Sequence, residues 1–153
     1  DLEYILRGIM DKLRRKYDYI ILDCPPSLNM LTINALTAAT SVLVPIQCEY
    51  YALEGLSQLI HTIDLVKDRL NKKLAMEGVV FTMYDARTNL SLQVVENVKD
   101  NLQQNIYKTI IPRNVRLAEA PSYGQPINIY DSRSAGAEAY RLLAEEVINR
   151  EDK

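Results

Sequence analysis

Four short apolar runs recur along this chain, separated by stretches with helical periodicity, and that alternation narrows the folds open to it. The runs are Tyr19–Leu22, Ser41–Ile46, Gly78–Met83 and Thr109–Ile111. They are too short for helices and carry no polar residue at every second position, so they read as strands buried on both faces. The helical stretches between them are marked by apolar residues at three- and four-residue spacing. These are Leu2, Ile5, Leu6, Ile9 and Leu13; then Leu53, Leu56, Ile60, Ile63, Val66 and Leu70; then Val94, Val95, Val98 and Leu102; and last Tyr140, Leu143, Ala144, Val147 and Ile148. Asn29–Ala39 adds a shorter helix. Strands alternating with helices predict an α/β fold, a mostly parallel sheet with helices on both faces. One domain is expected over residues 1–153. Ligands of such sheets bind beyond the carboxyl ends of the strands. That rule points to the segments that begin at Asp23, Gln47, Tyr84 and Pro112.

Hydrophobic residues make up 48% of the chain and charged residues 25%, the proportions of an ordinary globular protein. The net charge of -2 excludes nucleic-acid binding through bulk positive charge and leaves such binding to a few placed basic residues. The two cysteines, Cys24 and Cys48, fit neither a zinc site nor a disulfide framework, and both are expected as small buried apolar residues. A cytoplasmic protein follows from that reading. The opening Asp1-Leu2-Glu3-Tyr4 has no initiator methionine and runs straight into a helical pattern, as expected of a piece of a longer chain. Glu151-Asp152-Lys153 is expected to fray.

Three segments carry residues suited to chemistry. Asp23 closes the first apolar run, where nucleotide-binding α/β proteins place a carboxylate that organises Mg²⁺. The plainer alternative is an aspartate that opens a turn before Pro25-Pro26. Arg87 stands in the polar stretch Asp85-Ala86-Arg87-Thr88-Asn89, either facing a ligand or paired to Asp85. Arg113 and Arg116 flank a helix start at Asn114, a place suited to anions, and Pro112 can lie flat against a base. The alternative there is a strand terminator followed by a capping Asn and two surface arginines. The single histidine, His61, sits within the long helix and is assigned to packing or surface. Tyr50-Tyr51 follows a strand end, at a cleft, an interface or in plain packing.

Taken together, these segments resemble one family. Asp18-Tyr19-Ile20-Ile21-Leu22-Asp23-Cys24-Pro25-Pro26-Ser27-Leu28 is similar to the Walker B region of ParA/Soj partitioning ATPases. Gln47 to Gly55, Asp85 to Leu90, Ile111 to Leu117 and Glu119 to Gly124 resemble further characteristic segments in the same order. The resemblance covers nearly the whole chain and implies a deviant P-loop domain, of which this chain is the C-terminal part. It implies a Mg-dependent ATPase in the intact parent, with an ATP-bound homodimer that binds DNA non-specifically on the nucleoid. It also implies a ParB-type centromere-binding protein that stimulates hydrolysis and releases the DNA. Asp23 matches the Walker B aspartate that helps hold Mg²⁺ through water. Arg87 and Arg116 match arginines that contact DNA, and Met83, Pro112 and Asn114 match positions around the adenine. Four phosphates neutralised by a dimer would give a log-log salt slope of about -3.6, at roughly -0.9 per contact.

The chain departs from the family in one respect. It has 5 glycines and no Gly-Lys-Ser/Thr sequence, so the phosphate-binding loop is absent from these residues. Asp23 cannot replace that loop, and the chain alone is expected to bind no ATP tightly and to be inactive. Three other readings compete with this one. A MinD-type membrane-associated ATPase would carry a basic amphipathic tail, whereas Ala144 to Lys153 holds more acid than base, so no membrane partner is expected. A nitrogenase iron-protein relative would place its cysteine later, in a glycine-rich switch. A naturally truncated, non-catalytic interaction module would keep a partner surface without ATP chemistry.

Overall fold

The computed structural model describes residues 1–25 and 27–151. Pro26, which with Pro25 was expected to open a loop, and the terminal Asp152-Lys153 lie outside the described residues. The chain divides into two compact units, residues 1–42 with 57–77 and residues 43–56 with 78–153. Its elements are α1 (Ile5–Leu13), α2 (Met30–Ala38), β1 (Ser41–Gln47), α3 (Ala52–Arg69), β2 (Ala75–Thr82), α4 (Asn89–Asn101), α5 (Val115–Glu119), α6 (Ile127–Tyr130) and α7 (Ala135–Glu151). The expected α/β class with a parallel sheet is the observed one. The backbone bonds Ala75 N–H to Thr40 O and Cys48 N–H to Thr82 O advance in the same direction along β1 and β2.

In the first unit, α1 is held to α2 by Asn34. Its amide donates to Leu2 O at 2.9 Å, and its oxygen accepts from Leu6 N–H at 3.3 Å. Asn29 caps α2 by accepting from Leu31 and Thr32 N–H. At the other end, the carbonyls that a helix leaves unsatisfied are taken by long polar side chains. Arg14 donates to Ala38 O at 2.8 Å, and the buried Asn71 donates to Leu36 O and Ala39 O at 3.0 and 2.8 Å. The buried stripe of α1 is not the expected one. Met10 is buried and Leu6 half-buried, whereas Leu2, Ile5 and Ile9 are exposed. A helix with apolar residues over a wide arc buries only the sector that faces its neighbour, here α2.

Tyr19–Leu22, expected as the first strand, belongs to no ladder among the described residues, and Ile21 is 89% exposed. The run has strand composition, but a strand exists only against a hydrogen-bonding neighbour. Cys24 shares this segment and is exposed, against expectation, while Cys48 is buried and its thiol is pushed up to about 11 by burial.

In the second unit β2 supplies the core, with Val79, Val80 and Phe81 all buried. Against Val80 pack Tyr107, Ile111, Ala139 and Leu143. The face of α7 directed at this core is therefore Ala139, Leu143 and Val147, and the expected Tyr140, Ala144 and Ile148 are exposed. β1 is less buried than expected. Val44 is covered, but Leu43 and Pro45 are exposed. Because the Cys48 N–H faces β2, the two-residue alternation turns Pro45 to the other side, where its missing donor breaks no rung.

The expected strand at Thr109–Ile111 begins earlier and is interrupted. Parallel bridges join Val79 to Ile106 and Tyr84 to Pro112. The stretch between them is one residue longer on the 106–112 side than on β2, which makes a bulge. Glu146 on α7 explains it. Its carboxylate accepts from the N–H groups of Lys108 and Thr109, both at 2.9 Å, and from the Thr109 hydroxyl. Burial pushes the Glu146 carboxyl up, but the Thr109 and Lys108 bonds and the Arg150 charge outweigh it, so the net shift is downward from 4.5. A carboxyl lowered on folding contributes stability that is fully present above its unfolded value and is lost as pH falls through its folded one. Glu146→Gln should thus cost about 1–3 kcal/mol at neutral pH. The gap to wild type should narrow in thermal melts taken progressively below about pH 4.5. A gap that is constant with pH would show that the carboxylate charge is not what holds the bulge.

Candidate functional site

Asp23 lies in the first unit, exposed, in the segment that forms no strand. Among the described residues no three His, Cys, Asp or Glu side chains gather to hold a metal. Magnesium takes one or two carboxylates plus waters and substrate phosphates. Asp23 therefore fits as one ligand of such an ion and not as a site by itself.

The other five predicted residues lie in the second unit, and the fold brings their segments together. β2 ends at Thr82, and Met83 follows with φ of 54°, a left-handed conformation uncommon for a residue with a Cβ. The turn exposes the thioether side chain at the rim of the sheet. Tyr84 then rejoins the edge ribbon. Its N–H donates to Ile111 O and its carbonyl accepts from Arg113 N–H, so Pro112 sits directly alongside. The loops carrying Arg87 and Asn114 thus start side by side from one bridge. Asn114 is the N-cap of α5, its side-chain oxygen accepting from Leu117 N–H at 3.3 Å. Met83 and Pro112 therefore flank one rim position, with Asn114 two residues further on.

Arg87 is held by Asp85. Its own N–H and its Nε donate to Oδ1 at 3.0 and 2.9 Å, and an Nη donates to Oδ2 at 2.9 Å. The loop itself is rigidly built, because Thr88 caps α4 and Asp85 N–H donates to Ser91 Oγ. The Arg87 side-chain and backbone hydrogen bonds hold the Asp85 carboxyl down at about 2, with the nearby Arg113 charge adding to them. Arg87 nevertheless leaves 85% of its side chain exposed. Arg116, on α5, is also exposed and is paired twice. An Nη lies 3.1 Å from Glu119 and Nε 3.4 Å from Asp131. Glu119 in turn accepts from the Tyr130 hydroxyl at 2.7 Å, and the Tyr130 ring stacks on Tyr123 with centroids 5.1 Å apart. Tyr130 first, and Arg116 after it, hold the Glu119 carboxyl below its ordinary value.

The sequence pointed to Arg87 and Arg116 but not to the carboxylates around Arg116. Glu119 stands three residues on, along α5, a spacing that does signal a pair. Asp131 comes from beyond α6, and no local pattern announces it. Tyr50 and Tyr51 are both exposed, with their rings edge to face at 5.0 Å.

Comparison with known proteins bears on the whole chain. A model of the family described as an AAA domain matches residues 1–76. The sporulation initiation inhibitor protein Soj of Bacillus subtilis is 61% identical over 95% of this chain, and the chromosome partitioning protein ParA of Myxococcus xanthus is 56% identical over 97% of it. The chain belongs to the ParA/Soj family. It spans 57% and 53% of those two relatives, about half the length of each. Among solved structures, a cobyrinic acid a,c-diamide synthase from Mycobacterium smegmatis with a bound ATP analogue and magnesium matches with a TM-score of 0.81. It is 36% identical and covers 99% of this chain, which covers 55% of that one. The cell division ATPase MinD of Pyrococcus furiosus shares the fold, with a TM-score of 0.78 at 23% identity over 96% of this chain and 58% of its own. Of the residues singled out in this ParA/Soj chain, Met83, Arg87, Pro112, Asn114 and Arg116 belong to the second unit and Asp23 belongs to the first. No helix among the described residues is long and apolar enough to cross a membrane.

Proposed function

We propose that this chain is the C-terminal portion of an ATP-dependent DNA-segregation protein. In that reading a nucleotide-bound homodimer holds DNA without sequence preference through Arg87 and Arg116, and a ParB-type partner stimulates hydrolysis and frees the DNA. The observation that supports it best is the placement of the two arginines. Both are exposed, Arg87 on the loop that Thr88 caps and Arg116 on α5, and their two segments leave one sheet rim side by side. Arginines presented in this way suit backbone phosphates. A chain of net charge -2 needs two copies of so small a basic patch to bind DNA. Nucleotide binding would set the dimer, and the dimer would set the DNA affinity.

In the same reading Met83, Pro112 and Asn114 flank the adenine, and Asp23 holds Mg²⁺ through a water. The phosphates need backbone N–H groups that a glycine-rich loop supplies, and these 153 residues have no Gly-Lys-Ser/Thr. Calorimetric titration with Mg-ATP tests this directly. The chain alone should give no binding heat. A chimaera that joins it to the preceding segment of the Bacillus subtilis Soj relative should bind. Tight binding by the chain alone would refute the assignment of the phosphate site. Binding by neither would favour a non-catalytic interaction module.

A further inference from the structure

Both arginines assigned to DNA are already engaged by carboxylates of their own chain. In Arg87 the Nε–Nη edge is spent on Asp85 in a bidentate pair, the same edge and the same geometry that a phosphate would take. In Arg116 one Nη faces Glu119 and Nε faces Asp131, so its pairs run to two separate acids. These acids are not loose partners. Asp85 also accepts the Arg87 backbone N–H, Glu119 is fixed by the Tyr130 hydroxyl, and Asp131 accepts from Arg133 N–H as it leads into α7. A phosphate reaching either arginine meets a cation whose preferred face is occupied by an anchored anion.

We propose that Asp85, Glu119 and Asp131 act as built-in competitors of DNA phosphate, holding Arg87 and Arg116 in intramolecular ion pairs that must be exchanged for the arginines to bind. The proposal rests on the reading of these two arginines as DNA contacts. Exposed ion pairs are weak, so the competition lowers affinity without abolishing it. One subunit then binds too weakly to stay on DNA, and a dimer, with twice the phosphate contacts, overcomes the exchange. The two arginines also differ. Arg87 can open by turning its own side chain away from one acid, whereas Arg116 must leave two acids set on different elements.

The test is a double-mutant cycle in the full-length protein, reading affinity for a mixed-sequence duplex with Mg-ATP present. Asp85→Asn and Glu119→Gln are isosteric and keep the Arg87 N–H and Tyr130 bonds. Each should tighten DNA binding by about two- to fivefold, the range open to an exposed pair. The slope of log affinity against log salt should stay unchanged, because no phosphate contact is added. In an Arg87→Ala background, Asp85→Asn should have no effect, and Glu119→Gln likewise in Arg116→Ala. Equal tightening with and without the arginine would show a bulk charge effect and overturn the proposal. Unchanged or weaker binding by Asp85→Asn and Glu119→Gln would also overturn it, the latter by showing that the acids position the arginines. If Arg87→Ala and Arg116→Ala themselves bind DNA as wild type does, the DNA reading fails, and that outcome is distinct from the other two.

Discussion

Truncating Tyr107 to alanine should lower the free energy of unfolding by about 3–5 kcal/mol, a large part of what a domain of this size possesses. Tyr107 is 1% exposed and belongs to the cluster of Val80, Ile111, Ala139 and Leu143. Gly78 and Arg150 also close on the ring. A Cβ built on Gly78 would come within 2.6 Å of Tyr107 Cε2, so β2 approaches the ring as closely as only a glycine permits. The Arg150 guanidinium lies over the ring, 3.9 Å from its centroid, a cation–π contact, and its Nη1 also stands 2.9 Å from that same Cβ position. Removing the ring leaves a cavity bounded by a strand, a helix and an arginine that cannot all collapse inward. Urea unfolding should show a lower midpoint with an unchanged slope. A loss under about 1 kcal/mol would mean that this core can repack, and with it the ribbon that leads to Pro112 and Asn114.

The paired substitution Arg87→Ala with Arg116→Ala should take DNA binding by the full-length protein to the edge of detection. Two contacts per subunit make four in a dimer, so the salt slope should lose about 3.6, at about 0.9 per phosphate. Both side chains are exposed, and neither is part of the buried cluster. The melting temperature should therefore move little, which separates lost contact from lost fold. Each single substitution should take about half of the slope, uniformly across DNA sequences. A variant that keeps the wild-type slope would show that other side chains meet the phosphates.

Much of the fold can be read from local sequence, because the forces that set it are local. Val79-Val80-Phe81 has no polar residue to turn outward, and β2 is accordingly buried. Asn29, Thr88 and Asn114 each stand before an apolar helical pattern, and each caps its helix. The errors share a cause, which is that the deciding partner is distant in sequence. Tyr19–Leu22 has the composition of a strand, but pairing belongs to two segments and not to one. Ile5 and Ile9 have the right spacing, but the position of α2 decides which sector of α1 is covered. The ribbon at 105–113 is broken by Glu146, a residue on the last helix. For the site, arginines next to strand ends were legible as types. Their engagement by Glu119, Tyr130 and Asp131 depends on the path taken through α6.

The capture of the Lys108 and Thr109 N–H groups by one carboxylate has a consequence for solubility. Tyr107 N–H points inward to Val79 O, so these donors belong to the outer margin of the ribbon, where another chain's strand would dock. With Glu146 already bonded to both, an incoming strand finds no free donor at these two positions. Pro45, on the side of β1 away from β2, leaves a one-position gap in the donors there. Unsatisfied strand margins are templates for aggregation. At Lys108 and Thr109 that template is closed by an acid carried on another element.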